Sequence, residues 1–155
     1  MKFRVVVVGK PRAQALAAAI REYETRAARY WPLEIREVRD ESSRNAAPAL
    51  VREREGERLL AAAGAGALVV SCDAGGALRT SADLAAWMRA EQERAGRDVA
   101  FVIGGAYGLS PAVRAASAQQ LSFSRFTLTH EMARLVLAEQ LYRAGTIVRG
   151  EPYHK

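Results

Sequence analysis

One cysteine, three lysines and two histidines occur in 155 residues, and each scarcity removes a class of protein. Cys72 alone can form no internal disulfide and cannot build a cysteine-based zinc cluster, so a reducing, cytoplasmic setting is expected. No apolar run approaches the roughly 18 residues of a membrane span. The opening run, Phe3 to Gly9, is too short for a signal-peptide core and leads to no cleavage-like site, so neither a membrane nor export is expected. Neither G-x-G-x-x-G nor G-x-x-x-x-G-K-[ST] occurs, which disfavours nucleotide chemistry driven by phosphate binding. The sequence also lacks an H-x-x-x-H pair and a serine or cysteine in a recognised nucleophile elbow. Zinc and hydrolase readings are therefore weak, and no metal is expected.

What the chain does have is apolar residues and arginine. Half of it is hydrophobic, enough for one substantial core, so residues 1 to 155 are expected to form a single domain. Its 23 Lys plus Arg against 17 Asp plus Glu give a net charge of +6, and only Lys2, Lys10 and Lys155 of those cations are lysine. Such a balance suits a polyanionic partner such as RNA. An Arg- and Ala-rich composition inherited from the genome accounts for it equally well.

Strand and helix patterns alternate. The β-branched run Phe3 to Gly9 has the continuous apolarity of a strand buried on both faces of a parallel sheet. Leu16, Ile20, Tyr23, Ala27 and Tyr30 then recur at helical spacing, with Pro11 suited to the first turn. Leu33 to Arg39 predicts a second strand, and Asp40 to Asn45 a polar loop, the most flexible segment of the chain. Pro48 to Ala63 predicts a charged helix carrying opposite-sign pairs such as Arg52 with Glu55. Ala67 to Asp73 predicts a third strand, closed by a loop through Gly75 and Gly76. Ser81 is the expected cap of a helix with Leu84, Trp87 and Met88 on one side. Asp98 to Gly105 and Leu121 to Thr129 predict strands four and five, with Ser110 and Pro111 opening a short helix between them. In the last helix, from His130, Met132, Leu135, Val136, Leu137, Ala138, Leu141 and Ala144 cover nearly the whole circumference, which predicts cover by a second subunit or by the chain itself. The alternation defines an α/β class with a mainly parallel sheet sandwiched by helices.

Ligands of such sheets bind beyond the carboxyl ends of strands. That directs attention to Cys72 to Gly76, to the turn Gly104 to Gly108, and to Ser122 to His130. The glycines suit a tight turn as well as a ligand loop. His130, where the fifth strand meets the last helix, is either an ordinary early-helix residue or an acid, base or RNA contact. Arg134 and Arg143 are either phosphate contacts or solvated surface residues. The residues alone thus lead to a basic α/β domain with a strand-end ligand site. Non-catalytic RNA binding and a monomeric flavodoxin-like domain both remain open at this point.

Longer motifs narrow this. "IGGAYGLSPAV", "LSFSRFTLTHEMARLVLAEQLYRA" and the closing "PYHK", with "VVVVGK" and "EGERLLAAA" earlier, resemble the family of large-subunit ribosomal RNA methyltransferase H, the pseudouridine N3-methyltransferases among the knotted SPOUT methyltransferases. The resemblance implies a trefoil knot in the C-terminal half and a homodimer whose subunits complete each other's active sites. It implies S-adenosylmethionine held among the knot loops, largely by backbone, at Cys72, Gly104, Phe123, Ser124, Arg125, Phe126, Thr127 and Leu128. The implied substrate is one pseudouridine of 23S ribosomal RNA in the assembled 70S ribosome. His130, Arg143, Tyr153 and His154 are then expected on the substrate side, with His154 the candidate for proton handling. Two departures stand out. Many relatives have Leu at the position of Cys72, and some have Pro with an acidic residue where this chain has Ala106 and Tyr107, so no acid is assigned to that turn.

Overall fold

A computed structural model describes residues 1–42 and 44–155. Its elements, in order, are β1 (Phe3–Val8), α1 (Gln14–Ala27), β2 (Leu33–Val38), α2 (Pro48–Ala63), β3 (Leu68–Leu78), α3 (Ser81–Arg94), β4 (Val99–Ile103), α4 (Pro111–Ala116), β5 (Gln119–Ser122) and α5 (His130–Val148). The strands form one five-stranded sheet in the order β2-β1-β4-β3-β5, and every pairing is parallel.

The alternation of side chains along a strand explains the two layers around the sheet. Phe3, Val5 and Val7 of β1 point to one face with Phe101 and Ile103 of β4, where α1, α3 and α5 cover them. Val6 and Val8 point to the other face with Ala100 and Val102, under Leu59 and Ala63 of α2 and Val113 of α4. Burying each of the larger of these side chains contributes about 1.5–3 kcal/mol. Polar contacts then fix how α5 lies against α1. The Trp31 indole N–H donates to the Leu141 carbonyl at 2.8 Å. Arg134, only 5% exposed, donates to both Glu24 oxygens at 2.7 and 3.2 Å and to Glu37 at 3.3 Å.

Several element limits differ from the sequence expectation. α1 starts at Gln14, leaving Pro11 in the preceding segment. The cap of α3 is Thr80, not Ser81: its hydroxyl accepts from the Asp83 N–H at 3.0 Å, while the Asp83 carboxylate accepts from the Thr80 N–H at 3.2 Å. This reciprocal box is worth about 1 kcal/mol. β3 continues past Gly75 and Gly76 to Leu78, because the sheet register with β5 shifts between Cys72 and Ala77 and lets the strand bulge. β5 stops at Ser122, so Phe123 to Thr129 form a loop rather than a strand. The expected loop from Asp40 to Asn45 includes position 43, which lies outside the described residues.

Two differences bear on function. Glu55 is not half of a surface pair with Arg52; it is 3% exposed and turned into the protein. In α5, Leu137, Ala138, Leu141 and Ala144 are buried by this chain, while Met132 is exposed and Leu135, Val136, Glu139 and Arg143 are half-buried along an outward stripe.

Candidate active site

The parallel sheet delivers the carboxyl ends of β3 and β4 side by side, with Cys72 opposite Ile103. Beyond them lies a cleft walled by Cys72, Asp73 and Ala74 after β3, by Ile103 to Ala106 with Gly108 and Leu109 after β4, and by the loop after β5. That loop contributes Phe123, Ser124, Phe126, Thr127 and Leu128, and α5 contributes His130 and Ala133. Except for Arg125, the positions expected to contact a cofactor therefore converge on one cleft.

Backbone packing shapes these walls. The Gly108 N–H donates to the Gly105 carbonyl at 3.0 Å, and Gly108 has φ +82°, a conformation that favours glycine. At Gly104 there is no room for a side chain, since a Cβ would lie 2.6 Å from the Gly108 carbonyl group. Ser110 caps α4 by accepting from the Val113 N–H at 3.3 Å, and Pro111 follows at the first helical position, both as expected. The loop after β5 is fastened to the bulge of β3. The Ser122 hydroxyl reaches the carbonyls of Ala74 and Ser124, at 3.2 and 2.8 Å. Arg125 turns away from the cleft and donates to the carbonyls of Ala74 and Gly76, at 2.7 and 2.9 Å. Arg125 thus holds two cleft walls together.

The cleft is poor in charge. Among the described residues lining it, Asp73 is the one carboxylate, and there is no lysine or arginine. Asp73 is held by the Gly75 N–H at 2.7 Å and by Arg114 at 3.3 Å. Burial pushes the Cys72 thiol well above its ordinary range, with the Asp73 charge adding to the shift. Cys72 therefore stays a neutral thiol and presents apolar surface instead of a nucleophile. Thr129 caps α5 by accepting from the Met132 N–H at 3.3 Å, which sets His130 at the first helical position, facing the cleft.

The other expected substrate-side residues lie elsewhere. Thirteen residues at about 1.5 Å each separate Arg143 from His130 by roughly 20 Å along α5. There Glu139 Oε1 accepts from Arg143 Nε at 3.0 Å and from the Tyr153 hydroxyl at 3.0 Å. Arg143 sits 4.7 Å over the Tyr153 ring, and its Nη1 is 3.3 Å from Nδ1 of His154. The Tyr153 ring also packs on Tyr142, with centroids 4.6 Å apart. Burial, then hydrogen bonding to Tyr23 and Glu139, raises the Tyr153 phenol, which stays protonated as a donor. Sequence reasoning missed Glu139, the centre of this cluster, although its i,i+4 spacing to Arg143 was visible.

A parallel α/β sheet with a charge-poor cleft at its strand ends is a ligand-binding architecture, and a family-model match makes the class that of the SPOUT methyltransferases. The family model described as "Predicted SPOUT methyltransferase" matches residues 1–154. Among curated relatives, ribosomal RNA large subunit methyltransferase H of Gemmatimonas aurantiaca is 57% identical over 155 residues, all of both chains. The protein of the same name from Anaeromyxobacter sp. (strain Fw109-5) is 50% identical, again over all of both chains. That from Geotalea uraniireducens is 42% identical over 99% of each. The chain belongs to the ribosomal RNA large subunit methyltransferase H family, and its cofactor is S-adenosylmethionine. Among solved structures, the fold resembles a probable methylase family protein from Haemophilus influenzae (TM-score 0.58, 15% identity, 99% of this chain and 70% of that one). It also resembles a probable methyltransferase from Bordetella pertussis (TM-score 0.57, 11% identity, 93% and 96%).

Proposed function

We propose that this protein methylates N3 of a pseudouridine in 23S ribosomal RNA of the assembled 70S ribosome, in the cytoplasm. It acts as a single domain, knotted in its C-terminal half, and as a homodimer. One observation carries the reading: the family's motif positions fall into two spatial groups. Seven of the eight expected cofactor positions, with His130, surround the strand-end cleft, and Arg143, Tyr153 and His154 form a cluster about 20 Å along α5.

The cleft suits S-adenosylmethionine by its chemistry. A sulfonium is disfavoured beside lysine or arginine, and the lining has neither, while Asp73 adds a negative charge. Ile103, Leu109 and Leu128 offer apolar surface for an adenine, and the backbone of the glycine turn and of Phe123 to Leu128 offers its polar edge partners. The cofactor supplies an electrophilic methyl group. The protein's tasks are to align N3 with it and to accept the N3 proton.

The knot reading is supported by the match of residues 1–154 to the SPOUT methyltransferase family model. The dimer reading is supported by the outward stripe of α5, where Met132 is 37% exposed. On this reading a second copy laid along that stripe supplies its tail cluster at the glycine turn that borders this cleft. There Arg143 meets phosphate, Tyr153 a base or ribose, and His154 a base edge.

Ribosomes lacking the modification, incubated with the protein and labelled S-adenosylmethionine, test the assignment. Label is expected at N3 of the pseudouridine. RNA that takes up no label, from a protein that still binds ribosomes in a salt-sensitive manner, overturns it in favour of non-catalytic binding.

A further inference from the structure

The turn from Gly104 to Tyr107 separates two clefts. One is the strand-end cleft; the other opens on the far side of the turn, and Gly105, Ala106 and His130 line both. Glu55 forms part of the second cleft, and the family reading gave it no role. α2 reaches this position because Gly56 packs directly on the cap of α4; a Cβ there would lie 2.5 Å from the Ser110 hydroxyl. The same approach lays the Glu55 carboxylate over Gly105, where a Cβ would lie 2.8 Å from Oε2 and 3.0 Å from Oε1. Between carboxylate and turn there is thus backbone only. Burying a carboxylate is costly unless a cation compensates, yet Arg58, one turn away, is committed to the Arg39 carbonyl at 2.9 Å and to Glu41 at 2.5 Å.

We propose, on the RNA-methylating reading above, that the second cleft receives the target base and that Glu55 accepts the proton from its N3. Tyr107, 42% exposed, offers a stacking face on the turn. A base stacked on it has its N3 edge beside the Glu55 carboxylate that covers Gly105, at the border formed by Gly105, Ala106 and His130, the residues shared with the methyl donor's cleft. The step balances as follows. The N3–H bond breaks and its proton passes to a Glu55 oxygen. The N3 electron pair forms a bond to the methyl carbon, the carbon–sulfur bond breaks toward sulfur to leave a neutral thioether, and Glu55 then releases its proton to water in the cleft.

The surroundings favour a base over an inert ion. Lys10 and Arg12 after β1, Arg39, Asp40, Glu41 and Arg44 after β2, Arg58 of α2, Tyr107 of the turn and His130 of α5 are the charged and titratable groups around Glu55. Burial first, and Asp40 and Glu41 after it, raise the Glu55 carboxyl, while the Glu41 N–H and Arg58 oppose them. A raised carboxyl is a stronger base, closer to what proton removal at neutral pH requires.

The test compares single-turnover methylation of unmodified ribosomes by the unaltered protein, Glu55→Gln and Glu55→Asp across pH, with S-adenosylmethionine affinity measured in parallel. For Glu55→Gln a loss of about 10²- to 10⁴-fold in rate is expected. Its cofactor affinity should be unchanged, and the acidic limb of the pH profile, present in the unaltered protein above the ordinary carboxylate range, should be gone. Glu55→Asp should restore part of the rate. A Glu55→Gln variant with the unaltered rate and limb overturns the proposal while leaving the RNA reading standing. Failure of the unaltered protein to methylate overturns both. Should the Gln variant not fold, the profile of the unaltered protein decides: a limb supports the proposal, and a flat profile from about pH 5 upward overturns it.

Discussion

At its first turn α5 closes a cleft made of backbone, glycines and apolar side chains, whereas roughly 20 Å further on the same helix carries a cluster of Glu139, Arg143, Tyr153 and His154. The first region recognises by shape: its conformation is set by close approaches at Gly104 and by the Arg125 clamp. The second works by side-chain chemistry, with Glu139 holding Arg143 and Tyr153, and Arg143 in turn beside His154. A methyl donor that needs enclosure suits the former, and a polyanionic substrate suits the latter. Neither region alone accounts for transfer, and in one chain they do not meet.

Changes that break this division should follow in order of size. Deleting Tyr153 to Lys155 should reduce methyl transfer by about 10³-fold or more while S-adenosylmethionine affinity, read by calorimetry, stays within error. Gly104→Ala drives a Cβ into the Gly108 carbonyl. It should cost about 1–3 kcal/mol of stability and weaken cofactor binding at least tenfold, in thermal unfolding and calorimetry respectively. Glu139→Gln keeps the shape but loses the charge that holds Arg143 and Tyr153. It should lower kcat about tenfold with no change in cofactor affinity, separating a tail effect from a cleft effect. The smallest effect concerns stability. Burial raises the Glu55 carboxyl, so ionisation disfavours the folded state as pH rises through the folded value. Glu55→Gln should therefore raise Tm at about pH 8 and leave it nearly unchanged at about pH 4, as scanning calorimetry can check.

The contrast also explains which features were legible in the sequence. β1 was legible because its continuous apolar run meets both sheet faces directly: Val5 and Val7 on one side, Val6 and Val8 on the other. Phe123 to Leu128 read as strand because of their aromatic and β-branched content. The Arg125 clamp and the packing of the β3 bulge instead hold them as a loop, with Phe126 83% exposed. The cleft had no signature of its own, since contacts through backbone leave side chains free to vary; only the resemblance to a family located it. Glu55 was misread for a related reason. Helical spacing relates it to Arg52, but Gly56 and Ser110 decide where α2 sits, and a contact between distant segments cannot be seen in a local pattern.

The central claim is that a working site takes its cleft from one subunit and its tail from the other. Mixing two inactive forms tests it most directly: Thr127→Trp, which fills the cleft at an exposed lining position, and the chain lacking Tyr153 to Lys155. Co-expressed and isolated as the mixed dimer, the pair should recover about half the activity of the unaltered dimer, because one of two sites is then intact. A mixed dimer that forms and transfers no methyl group would contradict the account.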